Sequence, residues 1–122
     1  GVISNDSKLL CNKMRLDHAD FQRLKLKYPS AFIMVKYEDL VLQPLEVGDA
    51  VYSHIGYNQS SEKWQKFILE ATHSNKSSGQ FGVYRQNGAE SIDKWRHSMA
   101  QKDIVEMNRH CADIIKKLGY IL

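Results

Sequence analysis

The sequence predicts an α/β fold made mostly of helices around one buried strand of a parallel sheet, at about residues 31–37. Residues 32–35 (FIMV) are all apolar, which is typical of a strand covered by helices on both faces. Polar residues 36–39 (KYED) follow at once, and open α/β sheets bind ligands at the carboxyl ends of their strands. Such a strand needs partners, and the other candidates, 2–3 and 81–84, are too short to make a sheet. We therefore interpret the chain as part of a larger α/β domain.

The other elements are predicted as helices from apolar residues at helical spacing. The first is expected over Lys8–Lys27, capped by Asp6 or Ser7, and the second from Pro44 to about His54. A third is expected from about Glu62 to Ala71, with an aromatic and aliphatic stripe typical of a core. The last helix follows Ser98 and has the strongest periodicity. Its apolar face comprises Ile104, Met107, Cys111, Ile114 and Leu118.

Residues 72–88 (THSNKSSGQFGVYRQNG) are predicted to form a long polar loop between two helices. Its formal cations are Lys76 and Arg85. Backbone N–H groups of a Gly- and Ser-rich loop, together with an arginine fork, can hold a phosphate. The alternative is a mobile surface loop with no ligand. Composition alone leaves both interpretations open.

Composition excludes several classes of protein. The 122 residues are 43% hydrophobic and 25% charged, with a net charge of +3, which is ordinary for a globular domain. The basic residues are scattered and form no recognition motif, so nucleic acid is not an expected partner. No apolar run approaches the ~20 residues of a membrane span. The five histidines are isolated from one another, so no metal site is expected.

Two cysteines, Cys11 and Cys111, lie too far apart in sequence for a local metal knuckle. They are either buried free thiols or oxidised, and a disulfide needs an oxidising compartment. Three N-glycosylation triplets, at Asn5, Asn58 and Asn75, fall in polar, loop-like stretches. Together the triplets favour a protein of the secretory pathway.

A series of landmarks resembles the C-terminal half of a Golgi carbohydrate sulfotransferase, of the group that sulfates the 6-hydroxyl of N-acetylglucosamine or galactose. The resemblance runs from about Asp6 to Leu122, and it implies that residues 1–122 are the C-terminal portion of a single P-loop-like sulfotransferase domain. The landmarks, in order, are Leu10-Cys11 with Met14, KYEDLVLQPL at 36–45, Val51-Tyr52 with Gly56, Thr72-His73, Tyr84-Arg85, Trp95-Arg96, Cys111 and Leu118-Gly119-Tyr120.

The resemblance implies transfer of a sulfuryl group from 3′-phosphoadenosine 5′-phosphosulfate to a sugar hydroxyl of a glycoprotein or glycosaminoglycan, without a metal. It implies a type II membrane protein of the Golgi lumen, with its anchor in preceding sequence. The family's phosphosulfate loop, its main 3′-phosphate residues and its catalytic base have no counterpart here. No catalytic residue is therefore expected in this chain, and the chain alone is expected to be inactive.

Three nucleotide-binding residues are carried over from the family. Tyr37 and Thr72 match residues near the adenine, and Arg85 matches an arginine that closes over the 3′-phosphate. Trp95 is expected to pack behind that loop. For Tyr37 the alternative is a packed tyrosine with a bonded hydroxyl.

The luminal setting of the family implies that both cysteines are oxidised, either with each other or with cysteines outside this chain. The alternative function is a non-catalytic interaction module that kept the helices and lost the nucleotide site.

Overall fold

The computed structural model describes residues 2–57, 61–73 and 87–121, and its regular elements within these ranges are all α-helices. They are α1 (Val2–Lys27), α2 (Tyr37–Leu42), α3 (Pro44–His54), α4 (Glu62–His73), α5 (Gly88–Ser91), α6 (Lys94–Ser98) and α7 (Gln101–Lys117). The chain divides into two compact units, Gly1–Phe32 with Ser98–Leu122, and Ile33–His97. In these ranges no helix has the length and apolarity needed to cross a membrane.

In the first unit α1 packs against α7. The core consists of Cys11, Cys111 and Ile114, each only 1% exposed, with Met14, Ile115 and Leu118 packed around them. Cys111 and Ile114 belong to the predicted apolar face of the last helix. Burial of that face helps to hold α7 against α1, although the two helices are distant in sequence.

The helix α1 begins at Val2, earlier than the predicted start at Lys8. The backbone of Asn5 is therefore helical, and its loop-like setting was predicted wrongly. Ser7, the third residue of that glycosylation triplet, is buried, and its carbonyl oxygen lies 3.9 Å from the sulfur of Cys111. Ser7 thus packs against α7, which the polar sequence NDS did not suggest.

The buried strand predicted at 31–37 is not confirmed. Residues 32–36 have no regular secondary structure, and Ile33, Met34 and Val35 are 41–42% exposed. A strand forms only through hydrogen bonds to a neighbouring strand, and the described part of the chain contains none. Tyr37 instead starts α2, which the sequence did not predict, and the acidic Glu38 and Asp39 stand in its first turn, where they interact favourably with the helix dipole.

In the second unit the ring of Trp64 on α4 lies directly over Gly48 on α3. A Cβ atom at Gly48 would come within 2.1 Å of that ring, so the close approach of these helices requires glycine. Tyr52 meets the Trp64 ring edge-on at 4.6 Å between centroids, and Tyr57 lies 5.9 Å from Tyr52. Trp64 of the predicted α4 stripe thus packs against α3, whereas Phe67 of the same stripe is exposed.

Candidate functional site

Three helices of the second unit meet at Gly88, the first residue of α5. Gly88 is buried, and a Cβ atom there would stand 2.8 Å from the carbonyl oxygen of Thr72 on α4 and 2.8 Å from Cγ1 of Val41 on α2. Any other residue would force these elements apart. We call the contact of Val41, Thr72 and Gly88 the α2–α4–α5 junction.

Asn87 precedes the junction and has a left-handed backbone, with φ of 46°. Asparagine is one of the few residues other than glycine that adopts this conformation readily. The pair Asn87-Gly88 therefore suits a sharp entry of the chain into α5. The sequence analysis placed both residues in the predicted loop 72–88 and did not use the Asn-Gly pair, a recognised turn signal, to end that loop.

Tyr37 is the first residue of α2, about one helical turn before Val41 of the junction. Its ring is 43% exposed, and its hydroxyl has no hydrogen-bond partner among the described residues. The described residues do not decide between the nucleotide role and the packed alternative, so the role of Tyr37 remains a prediction. Within the described ranges the side chain is exposed, and its hydroxyl could donate or accept a hydrogen bond.

Thr72 is buried near the carboxyl end of α4, inside a helix that runs two residues further than predicted. Its hydroxyl oxygen lies 2.8 Å from the carbonyl oxygen of Ile68 and 2.7 Å from Nδ1 of His73. Both contacts are internal to the helix end, so the hydroxyl is largely occupied by the protein itself. His73 is exposed, and sequence reasoning gave it no role because no second histidine or cysteine stands at ligand spacing.

Arg85 lies outside the described residues, as do Asn58 and Asn75, so their predicted roles remain predictions. The backbone of Asn5 is helical, and its side chain is not described. The structure thus places Tyr37 and Thr72 in one unit, on two helices that meet at Gly88.

Trp95, expected to pack behind the loop, lies on α6. Its ring is 42% exposed, and the guanidinium carbon of Arg96 lies 4.6 Å from the ring centroid. This contact is a cation–π pair at the surface, which contributes little to stability.

The first unit carries a second cluster of polar contacts, centred on Arg15 of α1. Its Nε and Nη2 donate to the two carboxylate oxygens of Asp113 on α7 at 2.9 and 2.7 Å, and Nη1 donates to Asn12 at 2.7 Å. Nη2 also donates to the carbonyl of His110. These bonds lower the pKa of Asp113 from 3.8 to about 2 and raise that of Arg15. Four of the five N–H donors of Arg15 are bonded within the protein, so we assign this cluster a structural role.

Cys11 and Cys111 are joined as a disulfide in the core of the first unit, with their Cα atoms 5.4 Å apart. The bond ties α1 to α7 one turn from the Arg15 fork. No group of three or more His, Cys, Asp or Glu side chains within the described ranges is placed to hold a metal ion.

Comparison with known proteins gives a consistent result. The family model of the sulfotransferase domain matches residues 4–119. The chain is similar to carbohydrate sulfotransferase 2 of Homo sapiens, with 29% identity over 73% of this chain and 17% of the relative. It is similar to carbohydrate sulfotransferase 3 of Mus musculus, with 26% identity over 92% of this chain and 24% of the relative. The chain thus spans a quarter or less of the length of these relatives. No solved structure gives a significant match.

Proposed function

This chain belongs to the sulfotransferase domain family, and we propose that the protein containing it transfers a sulfuryl group from 3′-phosphoadenosine 5′-phosphosulfate to a sugar. The observation that carries the proposal is the family match over residues 4–119, together with relatives that are named carbohydrate sulfotransferases. The acceptor we propose is the 6-hydroxyl of N-acetylglucosamine or galactose, on a glycoprotein or glycosaminoglycan.

The residues of this chain contribute to binding the sulfate donor. Tyr37 is exposed and its hydroxyl has no partner among the described residues, and it lies on a helix that meets the end of α4 at the α2–α4–α5 junction. This arrangement supports an adenosine site formed by α2 and the end of α4. Arg85 supplies the guanidinium that binds the 3′-phosphate, because a planar fork makes two parallel charge-assisted hydrogen bonds to a phosphate.

The reaction moves the sulfuryl group from the phosphosulfate oxygen to the sugar oxygen and leaves adenosine 3′,5′-bisphosphate. The sugar hydroxyl loses its proton to a base, and we assign that base to sequence outside this chain. Catalysis in such transfers comes mainly from positioning and from neutralising charge on the transferred group, by analogy with phosphoryl transfer. The contribution of Tyr37 and Arg85 is to hold the nucleotide in place while this occurs, and Thr72 lies beside the same site at the end of α4.

We propose that residues 1–122 form the C-terminal portion of the sulfotransferase domain, within a type II membrane protein of the Golgi lumen. The chain spans only 17–24% of the length of its relatives, which supports a partial domain. The isolated chain is accordingly expected to transfer no sulfate to N-acetylglucosamine-terminated oligosaccharides, whereas the longest natural protein that contains it is expected to do so. Transfer by the isolated chain above a no-protein control would contradict this division.

The test of the donor site uses Arg85→Ala in the longest natural protein. The variant should bind the donor about 1.5–3 kcal/mol more weakly, the range for hydrogen bonds to charged groups, which is about tenfold or more in affinity. Arg85→Lys should recover part of the loss. A donor analogue without the 3′-phosphate should bind the wild type and the variant equally. Arg109→Ala is the matched control, since that arginine is on the exposed surface of α7.

Loss of affinity for both ligands to the same degree would mean that Arg85 does not contact the 3′-phosphate. In that case the alignment of the loop residues with the family would be wrong.

A further inference from the structure

Hydrogen bonds at the end of α4 set the tautomer of the exposed His73. The hydroxyl oxygen of Thr72 lies 2.8 Å from the carbonyl oxygen of Ile68. A carbonyl cannot donate, so two oxygens at this distance are compatible only if the hydroxyl proton lies between them. Thr72 must therefore act as an acceptor toward Nδ1 of His73, which lies 2.7 Å from the same oxygen. It follows that Nδ1 of His73 carries a proton.

This proton determines what His73 offers to a ligand. A neutral imidazole has one N–H donor and one bare nitrogen acceptor. With Nδ1 protonated and directed at Thr72, the bare nitrogen is Nε2. His73 is exposed, and Nε2 has no hydrogen-bond partner in the described part of the chain. The ring is thus held by Thr72 with an acceptor available to solvent.

The position of His73 at the carboxyl end of α4 favours some chemical groups of a nucleotide over others as its partner. His73 is the last residue of α4, and the carboxyl end of a helix carries partial negative charge from carbonyls without partners in the helix. A phosphate group is disfavoured at such a place. A ligand group that donates hydrogen bonds is favoured, because both Nε2 and the final carbonyls accept them. In the sulfate donor the exocyclic amino group of adenine is the neutral group that only donates.

We propose that Nε2 of His73 accepts a hydrogen bond from the exocyclic amino group of the donor's adenine. Thr72 then acts as the positioning residue that sets the tautomer of His73. This inference rests on the proposed function, because it names the group that reads the base at the same donor site. It also changes the role expected for Thr72, whose proton is already committed to Ile68 and is not available to the nucleotide.

The test compares adenosine 3′,5′-bisphosphate with inosine 3′,5′-bisphosphate by calorimetry on the longest natural protein. Inosine replaces the amino group by a carbonyl, which would place an acceptor against Nε2. The wild type is expected to prefer the adenosine compound by about 3- to 10-fold, the range of one neutral hydrogen bond. His73→Ala should bring this ratio close to one. His73→Gln should do the same while keeping affinity for both, since an amide can either donate or accept.

Thr72→Val separates the positioning role from a purely structural one. Valine keeps the shape of threonine, so the buried site stays filled, but His73 then becomes free to protonate Nε2 instead of Nδ1. The ratio should fall mainly because the inosine compound binds more tightly. A structural defect would weaken both compounds instead. His54→Gln is the matched control, because His54 is also the last residue of its helix, α3, and the ratio should not change.

The outcomes distinguish the two proposals. If the wild type binds neither bisphosphate, both the proposed function and this inference are wrong. If the wild type binds but shows no preference, or if His73→Ala weakens both compounds equally, the assignment of His73 is overturned while the donor site stands. A ratio that falls in His73→Ala and in Thr72→Val, but not in His54→Gln, supports the inference.

Discussion

Replacing both cysteines by Cys11→Ala and Cys111→Ala is expected to cost the protein a large part of its stability. The two residues are each 1% exposed, and their disulfide links positions 100 residues apart. In the chain-entropy account, a cross-link that closes a loop of ~100 residues stabilises the folded state by about 4.7 kcal/mol at 25 °C. Native disulfides typically contribute about 2–5 kcal/mol, which is comparable to the whole stability of a small domain.

The assay is denaturant unfolding of protein made in an oxidising host, with and without reductant. The wild type in reductant should unfold at about the same denaturant concentration as the double variant, and the double variant should not respond to reductant. Single variants are unsuitable as controls, because each leaves one thiol that can pair elsewhere. Peptide mapping under non-reducing conditions should recover Cys11 joined to Cys111.

Two alkylatable thiols in the native protein would refute the oxidised state. A wild type whose unfolding is insensitive to reductant would refute the energetic argument. Recovery of either cysteine bonded to a residue outside this chain would show that the pairing itself is different. Each result removes a separate step of the reasoning.

Three further predictions concern single side chains. The pKa of Asp113 is depressed to about 2, so the stability that its ionised carboxylate confers is present above about pH 4 and is lost as the pH falls through about 2. The melting temperatures of the wild type and of Asp113→Asn should therefore differ at pH 5 and converge near pH 2. Gly48→Ala should shift the fluorescence of Trp64 and lower the free energy of unfolding by about 1–2 kcal/mol, because overpacking against the ring outweighs the gain in helix propensity. The control is Asp49→Ala at an exposed position, which should leave the fluorescence unchanged. Gly88→Ala should weaken donor binding by forcing apart the α2–α4–α5 junction, and unchanged binding would contradict the placement of the site there.

Helix boundaries with strong local signals could be predicted from the sequence. The helix α3 runs from Pro44 to His54 as expected, because a proline at the first position and Gly56 just beyond the end, with φ of 94°, both act locally. The apolar face of α7 was also predicted, and Cys111 and Ile114 on it are buried, but the helix begins at Gln101 with Ala100 as its cap and not at a cap formed by Ser98. These signals need no knowledge of the partner that the helix packs against.

The region around Tyr37 could not be predicted in the same way. An apolar run such as 32–35 indicates burial, but whether it pairs as a strand depends on other segments that must supply hydrogen bonds. Helix α2 contains only six residues, too few for periodicity to reveal. Pairing of Cys11 with Cys111 likewise depends on α1 packing against α7, across a separation of 100 residues that sequence spacing does not encode.

The resemblance to known sulfotransferases identified a position, Thr72, and the structure identifies which atoms at that position are available. A hydroxyl can serve a ligand only if its proton and lone pairs are not already used, and in Thr72 the proton goes to Ile68 and one lone pair to His73. The polar group that faces outward therefore belongs to the next residue along the chain. The role proposed for His73 depends on α4 extending through His73 rather than ending at Ala71. The proposal therefore comes from the local fold and not from the residue matched to the family.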